Sequence, residues 1–283
     1  MKTRHYQESL WYFTFCASGI LLAGVLIAIL GLLLFRGSNE LTWEFLTTGP
    51  KGLFLGMEGG IYPAIMGTIA LLVIATSAAT LPALATAVYL TEYSTSSRFS
   101  WVIDIIIRSM VGLPSILIGL FGYAFFVLYL DFGISLISGA LTLAIMVFPT
   151  LVILMRDALC SVNADYRLAG LLLGVSRWYI LRRVVLPQAA PSLFGAVLLA
   201  MGHAAGATAP IMVTAAVIAA RAPSRLLEPV MALPYHLYIL FSQYVSLEKA
   251  YATALILVVL LLTFNVLSVA LRLLLPGKEG FKL

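Results

Sequence analysis

Residues 156–188 read RDALCSVNADYRLAGLLLGVSRWYILRRVVLPQ and form the longest charged interruption between two long apolar runs. We call this stretch the polar segment. Its residue types favour two short helices separated by Gly174. The first helix can be capped by Asn163 or Asp165 and the second by Ser176, because these side chains accept hydrogen bonds from the free N–H groups of a first helical turn.

The composition sets the class of protein. Of the 283 residues, 62% are hydrophobic and 10% are charged, and the mean hydropathy is +1.05. A soluble core of this size could not bury so much apolar surface, so the sequence predicts an all-α integral membrane protein with one transmembrane domain over residues 1–283. Six apolar runs each cover the roughly 20 residues that cross a hydrocarbon core. They are residues 11–35, 61–91, 109–130, 132–155, 184–220 and 250–271.

The basic residues orient these six predicted spans. Lys and Arg concentrate on the cytoplasmic side of membrane proteins. The side that holds both termini carries twelve basic residues, and the other side carries five. The twelve are Lys2, Arg4, Arg98, Arg108, Arg156, Arg167, Arg177, Arg182, Arg183, Arg272, Lys278 and Lys282. Both termini and the polar segment are therefore predicted to be cytoplasmic, beside anionic lipid headgroups, and the net charge of +5 does not indicate nucleic-acid binding.

Several residues modify this simple picture. The uncharged residues 229–247 include two prolines and a histidine, so they predict a short helix or re-entrant element on the outer face, packed against a partner, instead of a seventh span. Pro82 predicts a bend in the second span. Arg108 is placed at the inner end of the third span, where its side chain would reach the headgroups. Gly119 and Gly122 favour close helix packing.

The fifth run contains the richest intramembrane sequence, AMGHAAGATAP, at residues 200–210. An ionisable group within a span is by default a hypothesis for a functional site. The candidates for a solute path are His203, Gly206, Thr208, Pro210 and Thr214. The alternative is structural: a neutral histidine bonded to a neighbouring helix, hydroxyls bonded to their own backbone, and a glycine packing contact.

The polar segment resembles the cytoplasmic coupling loop of bacterial ABC-importer permeases. That family has Glu-Ala-Ala, three residues, Gly, nine residues and Ile-x-Leu-Pro. Here Leu168-Ala169-Gly170 stands at the Glu-Ala-Ala position, Gly174 is the Gly, and Val184-x-Leu186-Pro187 follows at the matching distance. The resemblance implies contact with an ATPase through Asp165, Arg167, Ala169, Gly170, Gly174, Leu186 and Pro187. Pro187 is also expected to end the second short helix.

Further motifs extend the resemblance over nearly the whole chain. They are Ala87-x-Tyr89-Leu90-x-Glu92-Tyr93, Leu41-Thr42-Trp43-Glu44-Phe45-Leu46, Leu113-Pro114-Ser115-x-x-x-Gly119-Leu120-Phe121, Gly206-x-Thr208-Ala209-Pro210 and Ala232-Leu233-Pro234. Together they are similar to the A-type permease of the phosphate-specific (Pst) ABC importer.

The resemblance implies a transport subunit for inorganic phosphate in the bacterial cytoplasmic (inner) membrane. Its partners would be a C-type permease, two copies of a cytoplasmic ATPase and an extracytoplasmic phosphate-binding protein. The sequence has no glycine-rich phosphate loop ending in Gly-Lys-Ser/Thr, so ATP and Mg²⁺ are expected on the ATPase and no cofactor or metal on this chain. No span carries paired carboxylates or a nucleophile with a base, which disfavours a membrane enzyme.

The fifth span departs from the family pattern, in which an Arg stands shortly before Gly-Glu-Thr-Ala-Pro. His203 stands for the Arg and Ala207 for the Glu. Arg is positive at any pH, whereas His is positive only when protonated. Three interpretations stay open. The partner permease supplies the missing contacts to phosphate, the importer carries another oxyanion or small polar solute, or the chain is a degenerate scaffold or sensor that transports nothing.

Overall fold

The fold is predominantly helical. The computed structural model describes residues 2–51, 58–94, 98–243 and 245–274, without the side chains of residues 2–10, 58 and 272. The helices are α1 (Lys2–Gly37), α2 (Trp43–Thr47), α3 (Tyr62–Val88), α4 (Arg98–Val111), α5 (Ser115–Gly122), α6 (Leu136–Cys160), α7 (Ala164–Leu172), α8 (Arg177–Ile180), α9 (Leu186–Ala205), α10 (Ala209–Thr214), α11 (Leu233–Ser242) and α12 (Leu247–Leu274). Two short strands, Pro50–Lys51 and Glu58–Gly59, pair antiparallel between α2 and α3.

Wider π-type turns lengthen three of these helices. They extend α3 to Tyr93 and α5 to Tyr129, and they join α8 to α9. Within the described residues, five helices are then long and apolar enough to cross a membrane, and up to six if one bent pair counts as a single span. The five are Trp11–Glu40, Tyr62–Tyr93, Leu136–Cys160, Arg177–Ala205 and Leu247–Leu271, and the bent pair is Arg98–Val111 with Ser115–Tyr129.

The predicted start of the third span, at residue 109, was wrong. Residues 98–111 form α4, which meets the Ser115–Tyr129 helix at an angle of 100°. Pro114 stands just before α5 and has no N–H to donate, and its ring disfavours a helical conformation at Leu113. The apolar residues 109–111 therefore belong to a separate helix.

Arg108 consequently lies on α4 and not at the end of a span. Its Nε donates to Asp104 Oδ2 at 2.7 Å, one helical turn away. Asp104 Oδ1 also accepts from Arg156 Nη1 of α6 at 2.7 Å. This carboxylate connects α4 to the C-terminal part of α6.

One prediction about proline was also wrong. α3 continues through Pro82 as a helix, and the bend at this residue stays a prediction. Pro187 does not end the second short helix, because α8 runs through the π-type turn Leu181–Val185 into α9. The wider turn leaves room for the proline ring, which in a regular α-helix would clash with the carbonyl four residues earlier.

The fifth span ends at Ala205, and the prediction that it continues to residue 220 was wrong. After α10 the chain is irregular up to α11. Its carbonyl groups accept hydrogen bonds from the free N–H groups at the start of α6: Leu136 N to Glu228 O at 2.8 Å and Ile137 N to Leu226 O at 2.9 Å. Irregular backbone within a membrane protein requires internal partners of this kind.

The short helix predicted within residues 229–247 is confirmed as α11. It packs against α3 and α12 of the same chain. Leu233 N donates to Thr68 Oγ1 at 2.8 Å, and this hydroxyl is buried in α3. Ten residues are too few to cross a hydrocarbon core.

His236 on α11 is buried, and its Nδ1 has no hydrogen-bond partner. Burial removes the side chain from water and, with repulsion from Lys249, lowers the pKa of His236 from 6.5 to about 4. The folded chain therefore takes up this proton at a lower pH than the unfolded chain. Stability from this group is complete above pH 6.5 and falls as the pH drops towards 4.

We expect His236→Gln to remove this pH-dependent loss of stability, which reaches roughly 3 kcal/mol near pH 4 in the wild type. The melting temperature of the purified chain in detergent, measured between pH 4 and 7.5, reports the effect. Tyr235→Phe is the control on the same helix and should follow the wild type. Equal loss of stability in wild type and His236→Gln would contradict the account.

The main core lies between α3, α6 and α9. α12 packs on α9, where Ser268 Oγ donates to Gly195 O at 2.8 Å, and α1 contacts α12. Of residues 11–37 of α1, all are exposed on this chain except Leu30 and Leu33, which are half-buried, and Gly37, which lies against the backbone of Tyr251. The C-terminal end of α9 and the polar segment are therefore both attached to the same helical bundle.

Candidate functional site

The polar segment folds as the predicted helix–Gly–helix. Asn163 Oδ1 accepts a hydrogen bond from Asp165 N at 2.9 Å and caps α7, so Asn163 is the cap and Asp165 lies in the first turn. Ser176 Oγ accepts from Tyr179 N at 3.4 Å and caps α8. Gly174 has φ +73°, a conformation that side chains rarely adopt. The turn between the two helices therefore depends on glycine.

The two short helices approach each other closely at Gly170. A Cβ atom there would lie 2.5 Å from Ile180 Cδ1, so the absence of a side chain lets α8 pack against α7. Ala169 is exposed next to it. Leu186, partly buried, and Pro187, exposed, lie at the start of α9, beyond the contact between α7 and α8.

Part of the outer surface of the polar segment is apolar. No residue of α7 is buried, and Leu172 and Leu173 are 88% and 80% exposed. Leu168, at the position of the family glutamate, is 58% exposed, and Trp178 on α8 is exposed to the same extent. Adjacent apolar side chains of this size mark a surface for a protein partner.

Arg167 does not belong to this exposed surface. Its Nη2 and Nε donate to Glu92 Oε1 at 2.7 and 3.0 Å, beyond the end of α3. Nη1 donates to Val162 O and Nη2 to Leu159 O, both at 2.9 Å. One guanidinium group therefore joins α7, the end of α6 and the end of α3.

A cleft of about 270 Å³ opens beside this ion pair. It is lined by Thr91, Glu92, Ser94, Arg167, Leu171, Arg177 and Ile180. Arg177 Nη1 reaches Glu92 O at 3.5 Å across the cleft. Polar groups from α3 and from the polar segment thus face the same space.

The intramembrane candidates surround the break between α9 and α10. His203 and Gly206 are exposed on this chain, and Thr208 is half-buried. Pro210 and Thr214 are buried, and the Thr214 hydroxyl donates to Pro210 O at 2.7 Å. The local backbone thus satisfies Thr214, while His203 and Gly206 face the outside of the chain.

The small-residue contacts predicted in the third span are confirmed. A Cβ at Gly119 would lie 2.9 Å from Pro210 Cα, so α5 rests directly on α10. A Cβ at Gly122 would overlap the side chain of Thr142 in α6. Two separate sequence motifs, one in the third span and one in the fifth, therefore meet at the break.

The residues predicted to contact an ATPase and the candidates for a solute path lie towards opposite ends of α9. From Pro187 to His203 the helix advances about 24 Å. Sequence reasoning left Glu92 out of the candidate site, although Glu92 stands in a quoted motif and its carboxylate suits a basic partner. Among the described residues, no group of three or more His, Cys, Asp or Glu side chains could hold a metal ion.

The structure combines an apolar helical bundle, the helix–glycine–helix of the polar segment and a long helix that is broken between α9 and α10. This combination is the architecture of a transport permease. Residues 83–277 match the family described as binding-protein-dependent transport system inner membrane component, and the chain belongs to this family. It is a multi-pass membrane permease subunit of an ABC transporter.

Individual relatives agree with this assignment. The chain is 33% identical to a probable ABC transporter permease protein, YqgI, of Bacillus subtilis, over 72% of this chain and 68% of the relative. It is 29% identical to the phosphate transport system permease protein PstA 2 of Mycobacterium bovis, over 92% and 85%. The fold is similar to a chain of the inward-facing MetNI methionine ABC transporter, with a TM-score of 0.62, 15% identity, and coverage of 74% and 94%.

Proposed function

We propose that this permease subunit serves an importer of inorganic phosphate and transmits ATP hydrolysis on a separate subunit to solute passage. The observation that carries the proposal is the joining of two features by α9, the helix–Gly174–helix at one end and the break at residues 206–208 at the other. Phosphate is the favoured solute because a relative similar over 92% of this chain is a phosphate transport permease.

The exposed apolar surface of α7 and α8 supports docking of an ATPase. Leu172 and Leu173 project from α7, and burying each of these side chains contributes about 1.5–3 kcal/mol. Ala169 and Asp165 lie on the exposed part of the same helix. Gly174, Gly170, Leu186 and Pro187 then have a positioning role, because they set the turn, the helix contact and the entry into α9.

The solute path is assigned to the exposed side of the α9 break. His203 and Gly206 would face a second permease across the passage, with Thr208 beside them. A neutral histidine can donate one hydrogen bond to a phosphate oxygen, and a protonated one adds positive charge. Pro210 and Thr214 shape the break from inside the chain and do not present polar groups to the passage.

The proposed assembly contains a C-type permease, two ATPase subunits that hold ATP and Mg²⁺, and an extracytoplasmic phosphate-binding protein. It lies in the bacterial inner membrane with both termini cytoplasmic. Lipid covers the outward-facing apolar helices, and no cofactor is assigned to this chain.

Replacing His203 by Ala should lower the initial rate of phosphate uptake about tenfold, because a lost hydrogen bond to a charged group is worth about 1.5–3 kcal/mol. His203→Arg should retain uptake and make it less dependent on pH between 6 and 8. Rates in proteoliposomes across this range test both statements. Phe194→Ala, an exposed position nearer the cytoplasmic end of α9, is the control. An unchanged rate and pH profile in His203→Ala would assign the histidine to packing.

The solute itself is tested by competition. The complex is reconstituted with its partner permease, ATPase and binding protein, and ATP-dependent phosphate uptake is measured with sulfate, molybdate or a phosphonate as competitor. Saturable phosphate uptake that none of them blocks supports the proposal. Transport of a competitor in place of phosphate would show an importer for another anion. The change of solute would then explain why His203 and Ala207 replace the Arg and Glu of the family.

A further inference from the structure

The ion pair between Glu92 and Arg167 connects the polar segment to the Tyr62–Tyr93 helix, which belongs to the main core of the bundle. It joins residues 75 positions apart through three charge-assisted hydrogen bonds of 2.7 to 3.2 Å. The side chains of Arg167 and Glu92 are only 23% and 11% exposed. Such a pair is screened less by water and salt than a surface pair, and its geometry fixes the orientation of both partners.

Arg167 is the most extensive polar attachment of α7 to the bundle among the contacts described. α7 buries no residue, so apolar packing holds it weakly. Further N–H groups of Arg167 donate to the carbonyls of Leu159, in the last turn of α6, and Val162, just beyond it. A displacement of α7 therefore pulls on Glu92 and on the end of α6 together.

α3 carries such a displacement to the solute path. The Tyr62–Tyr93 helix has 32 residues and is about 48 Å long. Near its other end, Thr68 and Leu72 share a small cavity with Ala205 and Ala207, which flank the α9 break. One helix thus runs from the ion pair to the surroundings of the break.

We propose that Glu92 and Arg167 are positioning residues that transmit movement of the ATPase-docking helix α7 through α3 to the α9 break. This rests on the proposed transport function, and it adds a second route beside α9 itself. The pair acts as one unit because the guanidinium group holds the carboxylate and both carbonyl oxygens at once.

The first test is the amount of phosphate taken up per ATP hydrolysed by the full complex in proteoliposomes. Glu92→Gln and Arg167→Gln should each lower this ratio about tenfold, within the range for residues that carry coupling. Arg167→Lys should fall between them and the wild type, because Lys keeps the charge and loses the fork. The double variant should be no worse than Arg167→Gln alone, as expected for a single unit.

Asp104→Asn is the matched control. It breaks a 2.7 Å ion pair between α4 and Arg156, a residue of α6 that precedes the two short helices α7 and α8. Its uptake per ATP should equal the wild type. Equal ratios in Glu92→Gln and the wild type would overturn the proposal, as would a common fall of uptake and ATPase activity with a lowered melting temperature, because this pattern indicates a purely structural role.

The second test does not depend on the solute. Cys16 and Cys160 are exposed and are replaced by Ser, and Tyr62→Cys places one thiol at the start of α3, where the tyrosine is 40% exposed. Adding ATP and vanadate to the purified complex should change the maleimide labelling rate of this thiol, and Glu92→Gln should abolish the change. The proposal would be overturned if ATP and vanadate left the labelling rate unchanged in the protein that retains Glu92 and Arg167, or changed it equally in Glu92→Gln. A labelling response without phosphate uptake would keep the pair and reject phosphate as the solute.

Discussion

Gly174→Val should reduce phosphate uptake by the reconstituted complex about a hundredfold, because misplacing a positioning element by about 1 Å can cost that much in a coupled step. Gly174 has φ +73°, and a β-branched residue is strained there. No atom lies within 4 Å of an added Cβ, so the strain is in the backbone and not from a clash. The chain can relieve it only by changing the turn, which moves α7 relative to α8.

The same position offers its own control. Asn tolerates left-handed backbone better than other side chains, so Gly174→Asn should retain most of the uptake, and Gly174→Ala should lie between. The melting temperature in detergent should change little in all three, because the turn lies outside the core. Full uptake in Gly174→Val would contradict a role for the turn, and a large loss of stability would place the effect in folding.

Gly119→Val should destabilise the bundle by about 3 kcal/mol, the upper part of the range for overpacking. Its Cβ would lie 2.9 Å from Pro210 Cα and 3.1 Å from Ala209 O, and backbone atoms cannot move away as a side chain can. Because α10 begins directly after the break that ends α9, uptake should also fall at temperatures where the protein stays folded.

Gly24→Val is the comparison for this substitution, because Gly24 lies in α1 with no atom within 4 Å of an added Cβ. Thermal unfolding of both variants in detergent gives the difference in stability. Equal melting temperatures of Gly119→Val and Gly24→Val would show that the contact between α5 and α10 is looser than described.

Local signals in the sequence were sufficient for much of the fold. The apolar runs gave the long helices, and the polar segment gave its turn at Gly174 and its cap at Ser176, because each depends on a few neighbouring residues. The short helix α11 was predictable for the same reason, since its prolines and polar side chains interrupt an otherwise apolar stretch.

The errors arose where distant contacts decide the structure. The apolar run hid the bend at Pro114 before Ser115, and the orientation of α4 involves the Asp104 pair with Arg156, 52 residues away. The irregular chain after α10 depends on hydrogen bonds to the start of α6, which no local pattern reveals. The Arg167 pair with Glu92 spans 75 residues, so sequence reasoning could identify the two charges but not their contact.

The roles of the candidate residues stay predictions, and the structure shows which of these residues are exposed and which are bonded within the chain. His203 is exposed beside the break, whereas Thr214 is bonded to its own helix. Leu168 lies where the family has an acidic residue, so ATPase docking at α7 would depend on apolar contact and on the turn at Gly174.

ATP-driven phosphate uptake tests the central claim most directly. Liposomes containing this chain, its partner permease and the ATPase are supplied with binding protein outside and ATP inside, and labelled phosphate is counted over time. The account predicts saturable uptake that requires ATP and disappears when this chain is omitted. Phosphate uptake that is equal with and without this chain, or no uptake by the complete assembly, would contradict it.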